Sequence, residues 1–155
     1  MVRSLENDPQ VDDGLKGHFT PESASKLLPL VRRIVREMAE LSDSMEMHRA
    51  QIEGLDKISQ TIKDDAYEDE VADIRKSFIL VEEQFESCRA ELNALGVDAH
   101  DPFDGGVDFP AIKDRRQVSL CWFLDEDKVT HWHERSENGA KRRKWESEMV
   151  SGSAV

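Results

Sequence analysis

Chemically versatile side chains are concentrated in one short stretch of the sequence, VSLCWFLDEDKVTHWHE, at positions 118–134. The stretch contains Cys121, Trp122, His131, Trp132 and His133. Thiolate and imidazole groups are ligands for zinc and iron, and a histidine beside a carboxylate can act as an acid and a base. Any activity of the protein is therefore expected to reside here.

The pairing of two predicted strands decides which chemistry is available. The segments QVSLCWFL and KVTHWHE are β-branched and aromatic and are separated by DED, which predicts a β-hairpin. A turn of two or four residues places Trp122 opposite His131, so that the histidines share a face with aromatic side chains. A turn of three or five residues instead places Cys121 on one face with His131 and His133, and Asp108 could then supply a fourth ligand.

Both registers remain open at the level of sequence. Tryptophan and histidine commonly fill the core of a small sheet, with their N–H groups bonded to carbonyl oxygens. We therefore expect no cofactor, and the alternative is a zinc or iron site at Cys121, His131 and His133. A further group of potential cation ligands, expected to act mainly as turn residues, precedes the hairpin. It consists of Asp98, His100, Asp101, Asp104 and Asp108.

Two long amphipathic helices must position these residues. Thr20 is a suitable N-cap and Pro21 a suitable first helical residue. Apolar side chains then recur at alternating steps of three and four, as in a coiled-coil seam. The first stripe is Leu27, Val31, Ile34, Met38, Leu41, Met45, His48, Ile52, Leu55, and the second is Val71, Ile74, Phe78, Val81, Phe85, Cys88, Leu92, Leu95. Gly96 then suits a helix end.

The patterns together predict an α+β protein, in which a long antiparallel, coiled-coil-like helical hairpin is followed by a small antiparallel β-sheet. We expect a disordered arm over 1–17, a single domain over 18–143 and a flexible tail over 144–155. Within the domain, the helical hairpin covers about 21–95 and the β region about 97–135.

Composition excludes several classes of protein. The chain has 155 residues with 33 acids and 21 basic residues, and its net charge of −12 argues against nucleic-acid binding. Neither a signal peptide nor an apolar run of about 20 residues is visible, so we expect no membrane association and a cytoplasmic location. The two cysteines, Cys88 and Cys121, lack paired spacing, and a disulfide is not expected.

Several apolar residues of the helices lie off the two stripes and need a cover. They are Leu28, Leu30, Val35, Ile79 and Leu80. The cover could be the C-terminal segment or a second copy of the hairpin. Because the sequence lacks a P-loop, a nucleophile elbow and a dinucleotide fingerprint, we expect a non-enzymatic interaction module that forms a homodimer through its helical hairpin. The alternative is a ligand-binding or metal-binding protein, or an enzyme, with its site on the β-hairpin.

Three blocks of the sequence resemble a bacterial family known as domain of unknown function 2203. The blocks are FTPESASKLLPLV (19–31), GGVDFPAIKDRRQV (105–118) and LCWFLDEDKVTHWHE (120–134). The family pattern contains Asp-Phe-Pro, Leu-Cys-Trp and Trp-His-Glu in this order, followed by a glycine-containing loop and an arginine. The resemblance spans roughly 19–142 and implies no established activity.

The resemblance implies positions to examine rather than a function. Taken with the residue types, it points to a pocket in which a histidine, a carboxylate and an arginine orient an anionic group, act in proton transfer or form a buried polar network. The candidate ligand-binding residues are Asp108, Trp122, Trp132, His133, Glu134 and Arg142. Arg143 is the other match for the family arginine. His131 stands where family members carry tyrosine, which argues against it as an essential metal ligand.

Overall fold

A computed structural model describes residues 17–61 and 64–146, and within them the predicted α+β architecture is confirmed. Two long helices form an antiparallel hairpin and are followed by a five-stranded antiparallel sheet. The elements are α1 (Pro21–Ser59), α2 (Asp65–Ala94), β1 (Asp98–Ala99), β2 (Gly106–Lys113), β3 (Arg116–Phe123), β4 (His131–Glu134), a 3-10 turn (Gly139–Lys141) and β5 (Arg143–Lys144). The predicted arm (1–17) and tail (144–155) lie outside the described residues, apart from 17 and 144–146.

The ends of the helices follow the predicted capping residues. The Thr20 hydroxyl accepts a hydrogen bond from the Ser23 N–H at 3.0 Å, and the Ser23 hydroxyl accepts one from the Thr20 N–H at 2.9 Å. At the end of α2, on the same side of the hairpin as Thr20, Gly96 has a φ of +86°, a left-handed conformation that glycine adopts without strain. α1 has 39 residues and extends beyond both ends of its apolar stripe, which runs from Leu27 to Leu55.

The sheet covers the second apolar face of α1. Leu28 and Val35, which lie off the helical seam, are only 2% and 0% exposed, and they belong to one core with Leu120 and Trp122 of β3. Between them Arg32 places its guanidinium 5.5 Å from the Trp122 ring. The half of α1 that lies next to the sheet, residues 21–39, is called the proximal half. It is therefore packed on two sides, by α2 and by the sheet.

The distal half of the hairpin contains residues 40–59 of α1 and 65–80 of α2, and it has a much thinner core. On α1 the seam residues Met45, Ile52 and Leu55 are only half-buried. On α2, Ile79 and Leu80 are 51% and 60% exposed. Two helices alone cannot enclose their apolar surface, and the sheet does not reach this end.

The sheet is a meander in the order β1-β2-β3-β4-β5. Cys121 lies opposite His131 and Leu120 opposite Trp132. Of the two registers that the sequence leaves open, this is the one that places Cys121 on a face with His131 and His133. Alternate residues of β2 and β3 face the helices, and the intervening residues form the outer face of the sheet.

Pro110 lies inside β2, at a point where β1 no longer pairs with this strand. β2 continues through Pro110 to Lys113. On the side of β2 that faces β1, strand pairing covers only positions 107 and 108. Beyond them, the Pro110 carbonyl accepts a hydrogen bond from the Phe19 N–H at 2.7 Å. Proline is tolerated here because its missing N–H faces a side of the strand that has no continuous ladder.

The two cysteines lie in different layers of the fold. Cys88 is buried on α2 and Cys121 on β3, and both are free thiols. Within the part of the chain that the structure describes, no helix combines the length and the apolar character needed to cross a bilayer.

Candidate metal centre

Four potential metal ligands converge on the outer face of the sheet, three from consecutive strands and one from the residue that follows β1. His100 directly follows β1, Asp108 lies in β2, Cys121 in β3 and His133 in β4. Antiparallel pairing sets Asp108 opposite Cys121 and His133 opposite Ser119. Because residues on one face of a sheet alternate along each strand, this register brings all four side chains to the same side.

The ligand atoms are close enough to surround one ion. Asp108 Oδ1 lies 2.9 Å from His100 Nε2 and 3.1 Å from His133 Nε2, and Cys121 Sγ lies 3.9 Å from His100 Nε2. All four atoms lie within 4.8 Å of one another. Two ligand atoms that are each about 2.1 Å from a tetrahedral ion lie about 3.4 Å apart, so the spacing suits zinc or iron.

The other nitrogen of each imidazole ring is held by an acceptor. His100 Nδ1 lies 2.8 Å from the Asp104 carboxylate, and His133 Nδ1 lies 2.7 Å from the Glu134 carbonyl oxygen. These oxygens can only accept, so both Nδ1 atoms carry a proton, and whenever a ring is neutral its Nε2 lone pair faces the cluster. This is the arrangement found around metal-ligating histidines, in which a second hydrogen bond orients the ring.

The cluster therefore places two nitrogen lone pairs next to a carboxylate oxygen. These groups repel one another unless a cation lies between them. In the absence of a metal ion that cation is a proton. Burial lowers the pKa of His100, but hydrogen bonds with Asp108 and Cys121 and the negative charges of Asp108 and Asp104 raise it more strongly, to about 10. A metal ion at the same place would satisfy the same negative field.

Two glycines give the cluster its room. A Cβ atom at Gly106 would lie 2.6 Å from the His100 ring and 2.7 Å from the Phe123 ring, so only glycine lets the imidazole lie against β2. A Cβ atom at Gly139 would lie 3.4 Å from Cys121 Sγ. The 3-10 turn therefore covers the thiol side of the cluster.

Comparison with known proteins adds the family to this geometry. The model of one protein family, described as an uncharacterized conserved protein (DUF2203), matches residues 18–145. The chain belongs to the DUF2203 family. No curated protein and no solved structure matches the chain. The resemblance that the sequence motifs indicate is thus confirmed across both the helical hairpin and the sheet.

In this DUF2203 chain the six residues proposed as a ligand pocket are divided between the two faces of the sheet. Asp108 and His133 meet on the outer face. Trp122 is fully buried on the helix-facing side, where its Nε1–H donates to the Glu126 carbonyl at 2.9 Å, and Trp132 belongs to the same core. Glu134 forms an ion pair with Arg116 at the edge of the sheet.

Arg142 lies beside Cys121, and its guanidinium interacts both with this thiol and with the Glu126 carboxylate. Its guanidinium forms a hydrogen-bonded ion pair with the Glu126 carboxylate, donates to the Cys121 carbonyl at 3.3 Å and lies 4.9 Å from the Phe123 ring. Burial raises the pKa of Glu126, but hydrogen bonds from Arg142 and from the Phe123 N–H, with the charge of Arg142, leave it below its usual value. The ion pair thus fixes the 3-10 turn beside Cys121, and the charge of Arg142 is already balanced.

His131 lies on the outer face but outside the cluster. It is directly opposite Cys121, yet its Nδ1 lies 2.9 Å from the Thr130 hydroxyl. Burial, together with the positive charges of Arg142 and Lys144, lowers the pKa of His131, although Glu126 opposes this effect. A positive environment disfavours a metal ion at this ring.

His100 is the member of the cluster that the sequence interpretation placed elsewhere, among the turn acids. Its position depends on β1, a strand of only two residues that pairs Asp98 with Asp108. The His100 N–H donates to the Gly106 carbonyl at 3.0 Å, which continues this pairing by one step. The segment DAHDPFDGGVDF, read as a tight hairpin, would have put His100 and Asp108 on one face.

Proposed function

We propose that this DUF2203 chain binds one divalent transition-metal ion, zinc or ferrous iron, through His100, Asp108, Cys121 and His133. The observation that carries the proposal is the convergence of two imidazole Nε2 atoms on one oxygen of Asp108 while both Nδ1 atoms donate to other acceptors. Such a cluster is costly without a cation, because lone pairs then face a carboxylate.

The chemistry of the donor set supports the choice of metal. One thiolate, two imidazoles and one carboxylate form a mixed set that suits zinc and iron, whereas magnesium and calcium prefer oxygen ligands. The thiolate and the carboxylate together balance the charge of a divalent ion. The proposal is consistent with a reducing compartment such as the cytoplasm, where Cys121 remains a thiol.

Elemental analysis of protein purified without a histidine tag tests the proposal. We expect about one zinc or iron per chain in the wild type and a loss of most of it in Cys121→Ser and in His133→Ala, because each removes one ligand. His131→Ala is the matched control, since His131 lies on the same face opposite Cys121 but outside the cluster. Its metal content should equal that of the wild type.

Two results would contradict metal binding at these residues. The first is wild-type protein that stays well below one equivalent after dialysis against zinc or ferrous iron under reducing conditions. The second is a His131→Ala variant that loses as much metal as His133→Ala.

A second candidate function is homodimerisation through the distal half of the helical hairpin. The observation that favours it is the exposure of the neighbouring residues Ile79 and Leu80 on α2, at 51% and 60%. Arg75 and Glu82 flank this patch, with Arg75 also paired to Asp56. A two-fold related copy would set a basic group of one chain near an acidic group of the other.

Sedimentation at several concentrations tests this second candidate. We expect a concentration-dependent dimer in the wild type and a monomer in Leu80→Lys, because a charge would then be buried at the interface. Met47→Lys is the control, because Met47 is equally exposed, at 59%, but lies on α1. A wild-type chain that remains monomeric at high micromolar concentration excludes this function.

A further inference from the structure

A cleft of about 450 Å³ opens directly onto one side of the four-residue cluster. Its base contains His100 and Asp108, and its walls are the loop 101–104 and the segment 137–139. The cleft is thus the route by which solvent or a small molecule reaches the cluster.

The exposure of the four ligand residues shows which side of the cluster is open. The Asp108 side chain is 26% exposed and that of His100 is 13% exposed, whereas the His133 side chain is 3% exposed and Cys121 is fully buried. The 3-10 turn covers the thiol side, where Gly139 approaches Cys121. Asp108 is therefore the member of the cluster that meets the cleft.

The hydrogen bonds of Asp108 leave half of its carboxylate unused. Both histidines lie against Oδ1, and Oδ2 makes no hydrogen bond with the described residues. A carboxylate with one free oxygen at the mouth of a metal site can accept a proton or a hydrogen bond from a metal-bound water. A structural site, in contrast, has four protein ligands and no exchangeable position.

We propose that the metal centre is open on the side of Asp108, where a small uncharged or cationic ligand with a nitrogen or oxygen donor reaches the metal through this cleft. The inference rests on the proposed metal-binding function and adds a ligand class to it. All four residues hold the ion, Asp108 through its Oδ1 alone, and the free Oδ2 of Asp108 faces an exchangeable fifth position.

The charge of the cleft determines the class of ligand. Four acidic residues line it, and no lysine or arginine is among its described lining residues. Glu137 is paired with Arg143, and Asp104 with His100, but Asp101 is exposed and adds its negative charge to the rim. Because thiolate and carboxylate already neutralise a divalent ion, the remaining field repels anions.

Ligand titrations of the cobalt-loaded full chain test the proposal, since the visible spectrum of Co²⁺ reports its coordination. Imidazole and azide are small nitrogen donors that differ in charge at pH 8, where imidazole is mostly neutral. We expect imidazole to change the spectrum saturably. Azide should bind about tenfold more tightly to Asp101→Asn than to the wild type at low salt, while imidazole affinity stays unchanged.

The possible outcomes separate this inference from the proposed function. A fully loaded cobalt protein whose spectrum responds to neither ligand has a closed centre, which overturns the inference but leaves metal binding intact. Azide binding that is unaffected by Asp101→Asn overturns the ligand class. A chain that takes up neither cobalt nor zinc overturns the proposed function, and this inference fails with it.

Discussion

At the scale of single residues, the candidate site depends on small side chains as much as on the ligands themselves. Gly106 leaves the space that the His100 ring occupies, and Asp104 binds both the His100 Nδ1 and the Gly106 N–H, at 2.8 and 2.9 Å. A ring held by packing and by a second hydrogen bond is preorganised for a metal. Replacing the glycine therefore acts on the metal through His100.

Gly106→Ala should weaken metal affinity by about 10–100-fold and destabilise the fold by about 1–3 kcal/mol, because the new methyl group displaces the His100 ring. Competition with a metal-binding dye and denaturant unfolding measure the two effects. The control is Gly54→Ala in α1. A Cβ atom added at this glycine would have no neighbouring atom within 4 Å. Gly54→Ala should be more stable than the wild type by about 0.5–1 kcal/mol and should keep its metal affinity. An unchanged metal affinity in Gly106→Ala would contradict the packing argument.

The Glu126–Arg142 ion pair should make stability depend on pH in the acidic range. The folded pKa of Glu126 lies below its unfolded value, so its stabilising contribution is complete above the unfolded pKa and is lost as pH falls through the folded pKa. Urea unfolding of wild type and Glu126→Gln from pH 7 to pH 3 measures it. The stability difference between them should be largest at pH 7 and shrink with acidification; a constant difference would exclude a titrating pair.

At the scale of elements, α1 has two halves with different packing. Its proximal half is enclosed by α2 and by the sheet, and Leu28, Val31 and Met38 are 2% exposed or less. Its distal half packs mainly against α2, and Leu55 there is only half-buried. The stability of a helix comes mainly from the apolar face that it buries, so the distal half should open first.

Truncations at matched leucines test this difference between the two halves. Leu28→Ala should cost about 2–5 kcal/mol, because it leaves a cavity in an enclosed core. Leu55→Ala should cost clearly less, because its surroundings are partly hydrated and can relax. Denaturant unfolding of both variants compares them. Equal costs would mean that the distal half is covered in solution, as a dimer would require.

At the scale of the whole molecule, the helices support one face of the sheet and leave the other for the site. The helix-facing side consists of apolar residues such as Phe109 and Leu120, which are fully buried. The opposite side carries the four ligands under the 3-10 turn. Because the ligands come from β2, β3, β4 and the residue that follows β1, a bound ion would link most of the sheet.

Metal removal should therefore lower the stability of the entire domain. At a free metal concentration 100 times Kd, binding adds about 2.7 kcal/mol to the free energy of unfolding. A chelator should lower the unfolding midpoint of the wild type and of His131→Ala by similar amounts and leave that of Cys121→Ser nearly unchanged. Identical shifts in all three proteins would place the metal elsewhere.

The sequence by itself determined the two helices, the β-hairpin and the broad α+β architecture. Capping residues and apolar periodicity are local signals, so Thr20, Gly96 and the two stripes specify where the helices lie and which faces they bury. The motifs around Asp108, Cys121 and His133 likewise indicated the family and three members of the cluster.

Only the tertiary structure decided which side chains meet. A register shift of one residue exchanges the two faces of a strand, and the β3–β4 turn does not reveal that register in its sequence. The two-residue strand β1, too short for any periodic signal, brought His100 to Asp108 in place of His131. The tertiary structure also separated Trp122, Trp132 and Glu134 from the cluster. The reason is that the packing of the whole fold decides which side of the sheet faces the helices.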